Sequence, residues 1–131
     1  PLGTSGLATC YDLRFPELFR LLTDEGAEAM VVPSGWPTAR IEHWDVLLRA
    51  RAIENQAWVL GCNAIGMQGP EGSQVELGGH SQVVSPSGEV IAKAGAQELV
   101  LTAQVDASAA SAVRAAFPVL RDIRIRGSFT Q

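Results

Sequence analysis

Cys10 sits where its surroundings could make a thiol reactive. The run Gly6-Leu7-Ala8-Thr9-Cys10-Tyr11-Asp12-Leu13-Arg14-Phe15-Pro16-Glu17-Leu18 reads as a short apolar strand ending at the cysteine, a tight polar turn, and a helix opening at Pro16. Helix N-termini carry free N–H groups and partial positive charge. They favour the thiolate, which is the nucleophilic form of cysteine. Cys10 is therefore the candidate nucleophile of covalent catalysis, a chemistry that also needs a base and donors for an oxyanion. The opposing reading is a buried structural thiol, the usual fate of a free cysteine.

Other side chains could serve such a centre. Arg14 offers a planar fork for a substrate carboxylate, or an ion pair with Asp12, Glu17 or Glu54. Trp36 follows a strand expected to neighbour that of Cys10, so it could wall a pocket or anchor packing. Cys62 lies mid-strand and reads as core, as does Trp44. Glu54, near a helix end, reads as a structural ion-pairing or capping residue rather than a base. His43 and His80 keep open a Cys–His hydrolase built on Cys10, because such partners meet in space rather than in sequence. A zinc site from Cys10, Cys62, His43 and His80 is disfavoured, since no two lie at close ligand spacing.

The elements that must position these residues follow from periodicity and punctuation. Residues 5–10 read as a strand. Residues 15–25 read as a helix, with Pro16 in its first turn, Glu17 at its positive end and Gly26 just past its end. Phe15, Leu18, Phe19 and Leu22 form its apolar face. A buried strand over 29–33 and the turn Ser34-Gly35-Trp36-Pro37 come next. Residues 41–56 give the clearest helix, with Ile41, Trp44, Leu48 and Ala52 on one face and Asp45 spaced to pair with Arg49. Strand 58–64 precedes a glycine-rich loop over 66–79. Strands 81–85 and 90–92 flank the turn Pro86-Ser87-Gly88-Glu89, a strand is expected over 98–105, and a helix over 107–116 is capped by Asp106 or Ser108. Residues 117–131 show no clear element. Alternating strands and helices imply layered α/β packing, and the late hairpin implies a mixed sheet.

The 131 residues suit one domain, and the hydrophobic fraction of 47% is enough for a real core. A net charge of −4, with ten basic residues spread along the chain, gives no basic stripe for nucleic acid. No apolar run is long enough to span a bilayer, and no signal peptide is visible. Two cysteines are too few for a disulfide framework, which suggests reduced thiols in a cytoplasmic protein.

Taken together, the segments resemble the nitrilase superfamily of carbon–nitrogen hydrolases. The run Cys10-Tyr11-Asp12-Leu13-Arg14-Phe15-Pro16-Glu17 resembles that family's nucleophile motif. Pro33-Ser34-Gly35-Trp36-Pro37, the stretch from His43-Trp44 through Arg49-Ala50-Arg51-Ala52-Ile53-Glu54-Asn55-Gln56, Gly79-His80-Ser81 with Pro86-Ser87-Gly88-Glu89, and Phe117-Pro118-Val119-Leu120-Arg121-Asp122-Ile123-Arg124 follow in the family's order. The wording around Cys10 is most similar to the omega-amidase-like branch. The resemblance implies part of a four-layer α-β-β-α sandwich with mixed sheets, a dimer-based homo-oligomer, and hydrolysis of small amides or nitriles without metal or organic cofactor. It implies Cys10 as nucleophile, the Tyr11 N–H as an oxyanion donor, and Arg14 and Trp36 as substrate contacts. It also implies a Glu base and a Lys placed well ahead of the cysteine. The sole lysine, Lys93, follows Cys10 and does not match. Residues 1–131 are accordingly expected to be the C-terminal part of one hydrolase domain. On its own the chain is expected to be inactive and to aggregate or dimerise. A non-catalytic module that oligomerises is the alternative.

Overall fold

Short apolar stretches punctuated by glycine and proline become strands, and the two amphipathic segments between them become helices. The computed structural model describes residues 2–125. Its elements are β1 (Ser5–Leu7), α1 (Pro16–Asp24), β2 (Ala29–Ser34), α2 (Ile41–Asn55), β3 (Trp58–Asn63), β4 (Ile65–Gln68), β5 (Val75–Gly78), β6 (Gln82–Val84), β7 (Val90–Lys93) and α3 (Ala109–Ala116). One five-stranded sheet has the order β1-β2-β3-β6-β7. β1, β2 and β3 run parallel, while β6 and β7 pair antiparallel, so the sheet is mixed as the hairpin implied.

Register shows how the layers assemble. Gly6, Met30, Val59 and Val84 lie in one row across the sheet. A Cβ on Gly6 would lie 2.9 Å from Leu22 of α1, and one on Gly61 would lie 2.6 Å from Leu48 of α2. Both helices therefore cover the same face, and the two glycines let them approach the strands closely. Leu13, Phe19, Met30, Val32, Trp44, Leu48 and Val59 are fully buried between the layers. Trp44 is core, as its spacing indicated.

α3 docks by polar contacts. Arg114 donates to the carbonyls of Gln56, Ala27 and Asn55 at 3.1, 2.8 and 3.1 Å, and Gln56 Nε2 donates to Phe117 O at 2.7 Å. Burial lowers the pKa of the Arg114 guanidinium, and the nearby Glu28 opposes that shift.

Several sequence expectations need correction. β1 stops at Leu7, so Cys10 heads a separate 3-10 turn over Cys10–Arg14. The 66–79 loop is largely an antiparallel hairpin, β4 with β5; its glycines mask the strand pattern and supply positive φ at Gly66, Gly69 and Gly72. Residues 98–105 form no strand. Leu99 and Leu101 instead border a cavity of about 180 Å³ together with Cys62. Asp45 does not pair with Arg49. It accepts from Lys93 Nζ, His80 Nδ1 and Gln82 Nε2 at 2.7, 3.0 and 2.8 Å, while Arg49 donates to Gly88 O at 3.0 Å. Phe15 is 47% exposed and packs edge-on against Tyr11 rather than into the core. Cys62 is exposed, because it points from β3 to the face away from the helices. Beyond a 3-10 turn at Val119–Asp122, the tail from residue 126 onward lies outside the described residues.

Candidate active site

The turn bearing Cys10 is fixed by its neighbours. Thr9 is extended, at φ −123° and ψ 121°, and Cys10 follows at φ +46°. A side-chain-bearing residue at positive φ is strained by roughly 1 kcal/mol or more and persists only where its surroundings enforce it. Here they do. Asp12 Oδ2 accepts the Thr9 N–H at 2.8 Å, and the Asp12 N–H returns to Thr9 O at 2.9 Å. Leu13 is fully buried below the turn. Arg51 reaches from α2 and donates from Nε and Nη2 to Leu13 O, at 3.1 and 2.7 Å. The first N–H groups of a helical turn have no partner within it, which leaves those of Cys10 and Tyr11 at its head.

Cys10 is half-buried and opens on a cleft of about 410 Å³ lined by Cys10, Tyr11, Arg14, Trp36, Pro37 and Arg40. The thiol is thus packed on one side by the core and open on the other. The Arg14 guanidinium lies 4.7 Å from the Trp36 ring centroid and 6.0 Å from that of Tyr11. Its Nη1 and Nη2 sit 3.4 and 3.5 Å from His43 Nδ1. Stacking of a cation on an aromatic face is favourable. Arg14 is not paired with Asp12, Glu17 or Glu54, the three carboxylates its sequence position offered.

Trp36 is packed in the core and also borders the cleft. It is 2% exposed and tilts against Trp44 at 5.7 Å between centroids, yet one edge borders the cleft. Its indole N–H donates to Arg40 O at 2.8 Å.

Comparison with known proteins decides the family. Residues 1–115 match the carbon-nitrogen hydrolase family model. The chain belongs to the carbon–nitrogen hydrolase family. It is 49% identical over 120 residues to the 2-oxoglutaramate amidase of Paenarthrobacter nicotinovorans, covering 92% of this chain and 40% of that protein. It is 39% identical to the omega-amidase NIT3 of Saccharomyces cerevisiae, covering 93% of this chain and 41% of that one. The crystal structure of yeast Nit3, a member of branch 10 of the nitrilase superfamily, superposes with a TM-score of 0.81 at 37% identity, over 92% of this chain and 44% of that one. An amidase from Nesterenkonia, solved as a point mutant, shows covalent addition of the acetamide moiety of fluoroacetamide at its active-site cysteine. It superposes with a TM-score of 0.70 at 30% identity, over 90% of this chain and 43% of that one. The motif-based resemblance, including its omega-amidase-like leaning, stands, and so does the α/β fold. The chain spans less than half the length of these relatives.

The remaining candidates in this member of the carbon–nitrogen hydrolase family lie elsewhere. His80 Nδ1 faces Asp45 Oδ2 at 3.0 Å, and His43 Nδ1 faces Arg14. Glu54 Oε1 accepts from Arg51 Nη1 at 2.9 Å, the structural role expected of it. Among the described residues no group of three or more His, Cys, Asp or Glu side chains is placed to hold a metal ion. No helix among them is long and apolar enough to cross a membrane.

Sequence reasoning missed two supports of the site. Asn63 binds the Trp36 backbone from both sides: its Oδ1 accepts the Trp36 N–H, and its Nδ2 donates to Trp36 O at 3.2 Å and to Gly79 O at 2.7 Å. A polar residue ending an apolar strand was the available signal. Arg51 is the other; an arginine on the buried side of an amphipathic helix was the signal there.

Proposed function

We propose that the chain supplies the nucleophile and one wall of the substrate cleft of a small-amide hydrolase. The observation that carries this reading is Cys10 itself: a strained, enforced backbone holds its thiol at the mouth of a cleft whose other side chains include two arginines and a tryptophan. The covalent adduct on the Nesterenkonia amidase's cysteine supports the same role for Cys10.

The Cys10 sulfur attacks the amide carbonyl carbon, and an S–C bond forms as the C–N bond breaks. The nitrogen leaves as ammonia, carrying the proton taken from the thiol. Water then attacks the thioester carbonyl, the C–S bond breaks, and a carboxylic acid departs with the thiol restored. The Tyr11 N–H, unpartnered at the head of its turn, donates to the oxyanion. The resemblance implies a Glu base and a Lys; this chain has no residue matching them, and we assign them to the rest of the intact enzyme. Arg14 takes a carboxylate on the substrate through its fork, with Trp36 as the flat wall beside it. Substrates are thus short amides carrying an acid group, as the name of the similar 2-oxoglutaramate amidase also suggests. Two unbridged thiols fit a cytoplasmic enzyme, and exposed Tyr11 and Phe15 fit a dimer-based oligomer.

Ammonia release from succinamic acid by the intact enzyme tests the reading. Cys10→Ala is expected to reduce it to background. Arg14→Met is expected to raise KM for succinamic acid about 10- to 100-fold, the worth of one charge-assisted contact, and to leave butyramide turnover unchanged. Wild-type rates in Cys10→Ala would refute the reading.

A further inference from the structure

We infer that Arg51 is a positioning residue for the nucleophile, acting through the backbone of the turn that carries it. The inference rests on the reading of Cys10 given above and concerns a side chain in a different element. Arg51 is 4% exposed, an unusual place for an arginine. Its contacts account for that burial. Nε and Nη2 converge on Leu13 O at 3.1 and 2.7 Å, Nη1 holds Glu54 at 2.9 Å, and the guanidinium lies 5.4 Å from the Phe19 ring centroid on α1. One planar group thus ties α1, α2 and the Cys10–Arg14 turn together. Leu13 is three residues beyond Cys10, one full 3-10 turn, so a shift of its carbonyl is transmitted to the Cys10 backbone.

The strain at Cys10 makes this consequential. At φ +46° the local preference of the residue opposes the observed conformation. The Thr9–Asp12 pair closes the front of the turn. Arg51 closes the back, and it does so with two N–H donors whose geometry is rigid. Lysine, a point charge on a flexible stem, cannot reproduce that fork. With the fork gone, the turn relaxes toward negative φ, and the thiol and the Tyr11 N–H move together away from their shared reacting position. Displacements of about 1 Å at such a centre cost on the order of 100-fold in rate.

The test compares Arg51→Lys and Glu54→Ala with wild type in the intact enzyme, below their melting midpoints and with fold checked by circular dichroism. Succinamic acid hydrolysis gives kcat and KM, and iodoacetamide gives the alkylation rate of Cys10. For Arg51→Lys, kcat is expected to fall about 10- to 100-fold with KM little changed, and Cys10 alkylation to slow in parallel. Glu54→Ala leaves the two bonds to Leu13 O in place but unties the guanidinium; a smaller loss in the same direction is expected. A folded Arg51→Lys with lower thermal stability but wild-type kcat and alkylation rate would show a scaffold role only and overturn the proposal. Cys10→Ala separates this from the functional reading. If Cys10→Ala remains active, that reading fails; if it is inactive while Arg51→Lys keeps wild-type kcat, the Arg51 proposal alone fails.

Discussion

At the scale of single residues, the site is a set of side chains with no carboxylate among those lining the cleft, and Arg14 is its most informative member. Its guanidinium has an aromatic face on one side and an imidazole nitrogen at 3.4 and 3.5 Å on another. Arginine has donors and no acceptor, so in this contact the Arg14 N–H groups donate and His43 Nδ1 accepts. His43 thereby orients the fork while leaving the other guanidinium N–H groups for a ligand. Replacing it, as His43→Leu, removes one exposed hydrogen bond worth about 0.5–1 kcal/mol. KM for succinamic acid should rise by about 2- to 5-fold on that basis, and kcat for the neutral butyramide should not move. An equal rise for both substrates would show that His43 does not act through Arg14. Local motifs single out Cys10, Tyr11, Arg14 and Trp36 in the sequence, and the structure brings them to one cleft. Arg51 and Asn63 were less legible. Their partners lie 38 and 27 residues away, so the local pattern marks each only as a polar residue in an apolar setting and does not say which backbone it binds.

At the scale of elements, the parallel strands and their crossover helices were readable because each carries its own period and its own punctuation. The β4–β5 hairpin was not, since alternation over four exposed residues is drowned by its glycines. Its pairing becomes visible only through long-range contacts, such as the Gly78 N–H to Trp36 O at 2.9 Å, which ties the hairpin to the cleft wall. The start of α3 shows how an element can depend on one carboxylate. Asp106 Oδ1 accepts from the Ser108 N–H at 2.8 Å and from Ser108 Oγ at 2.7 Å. The Ser108 side-chain bond, then its backbone bond, lowers the Asp106 pKa. A lowered folded-state pKa means that the unfolded chain takes up the proton first as pH falls. The stabilisation is therefore complete above the unfolded-state value near about 3.9 and is lost as pH drops through the lower folded-state value. The protection factors of residues 109–116, which remove the intrinsic pH dependence of exchange, should be high at neutral pH and fall selectively in that acid window. Asp106→Ala should show the lowered protection at neutral pH as well. Protection of α3 that is insensitive to both would mean that Arg114, rather than this Asp106–Ser108 turn, holds the helix.

At the scale of the whole molecule, the governing fact is that the sheet has two unlike faces. The row Gly6, Met30, Val59 and Val84 is sealed under α1 and α2. The next row, Leu7, Val31, Leu60 and Val83, points the other way, and there Leu7 is 65% exposed, Val31, Leu60 and Val83 are half-buried, and neighbouring Cys62 is exposed. Apolar rows of this kind drive association. β1 adds to the effect, because it is an edge strand of only three residues whose outer N–H and C=O groups face no neighbour in the sheet. The isolated 131-residue chain should therefore self-associate in multi-angle light scattering, with the monomer fraction falling as concentration rises. Leu7→Lys puts a charge on both the face and the edge, the common natural device against strand pairing. Leu7 is largely exposed, so the change should leave the helical signal in circular dichroism intact while shifting the distribution toward monomer. A monodisperse monomer in the unmodified chain would show that the segment after β7 covers this face well enough by itself. Association that Leu7→Lys leaves untouched would instead move the contact to the exposed side of the helices, where Tyr11, Phe15, Leu21 and Val46 present the other apolar surface.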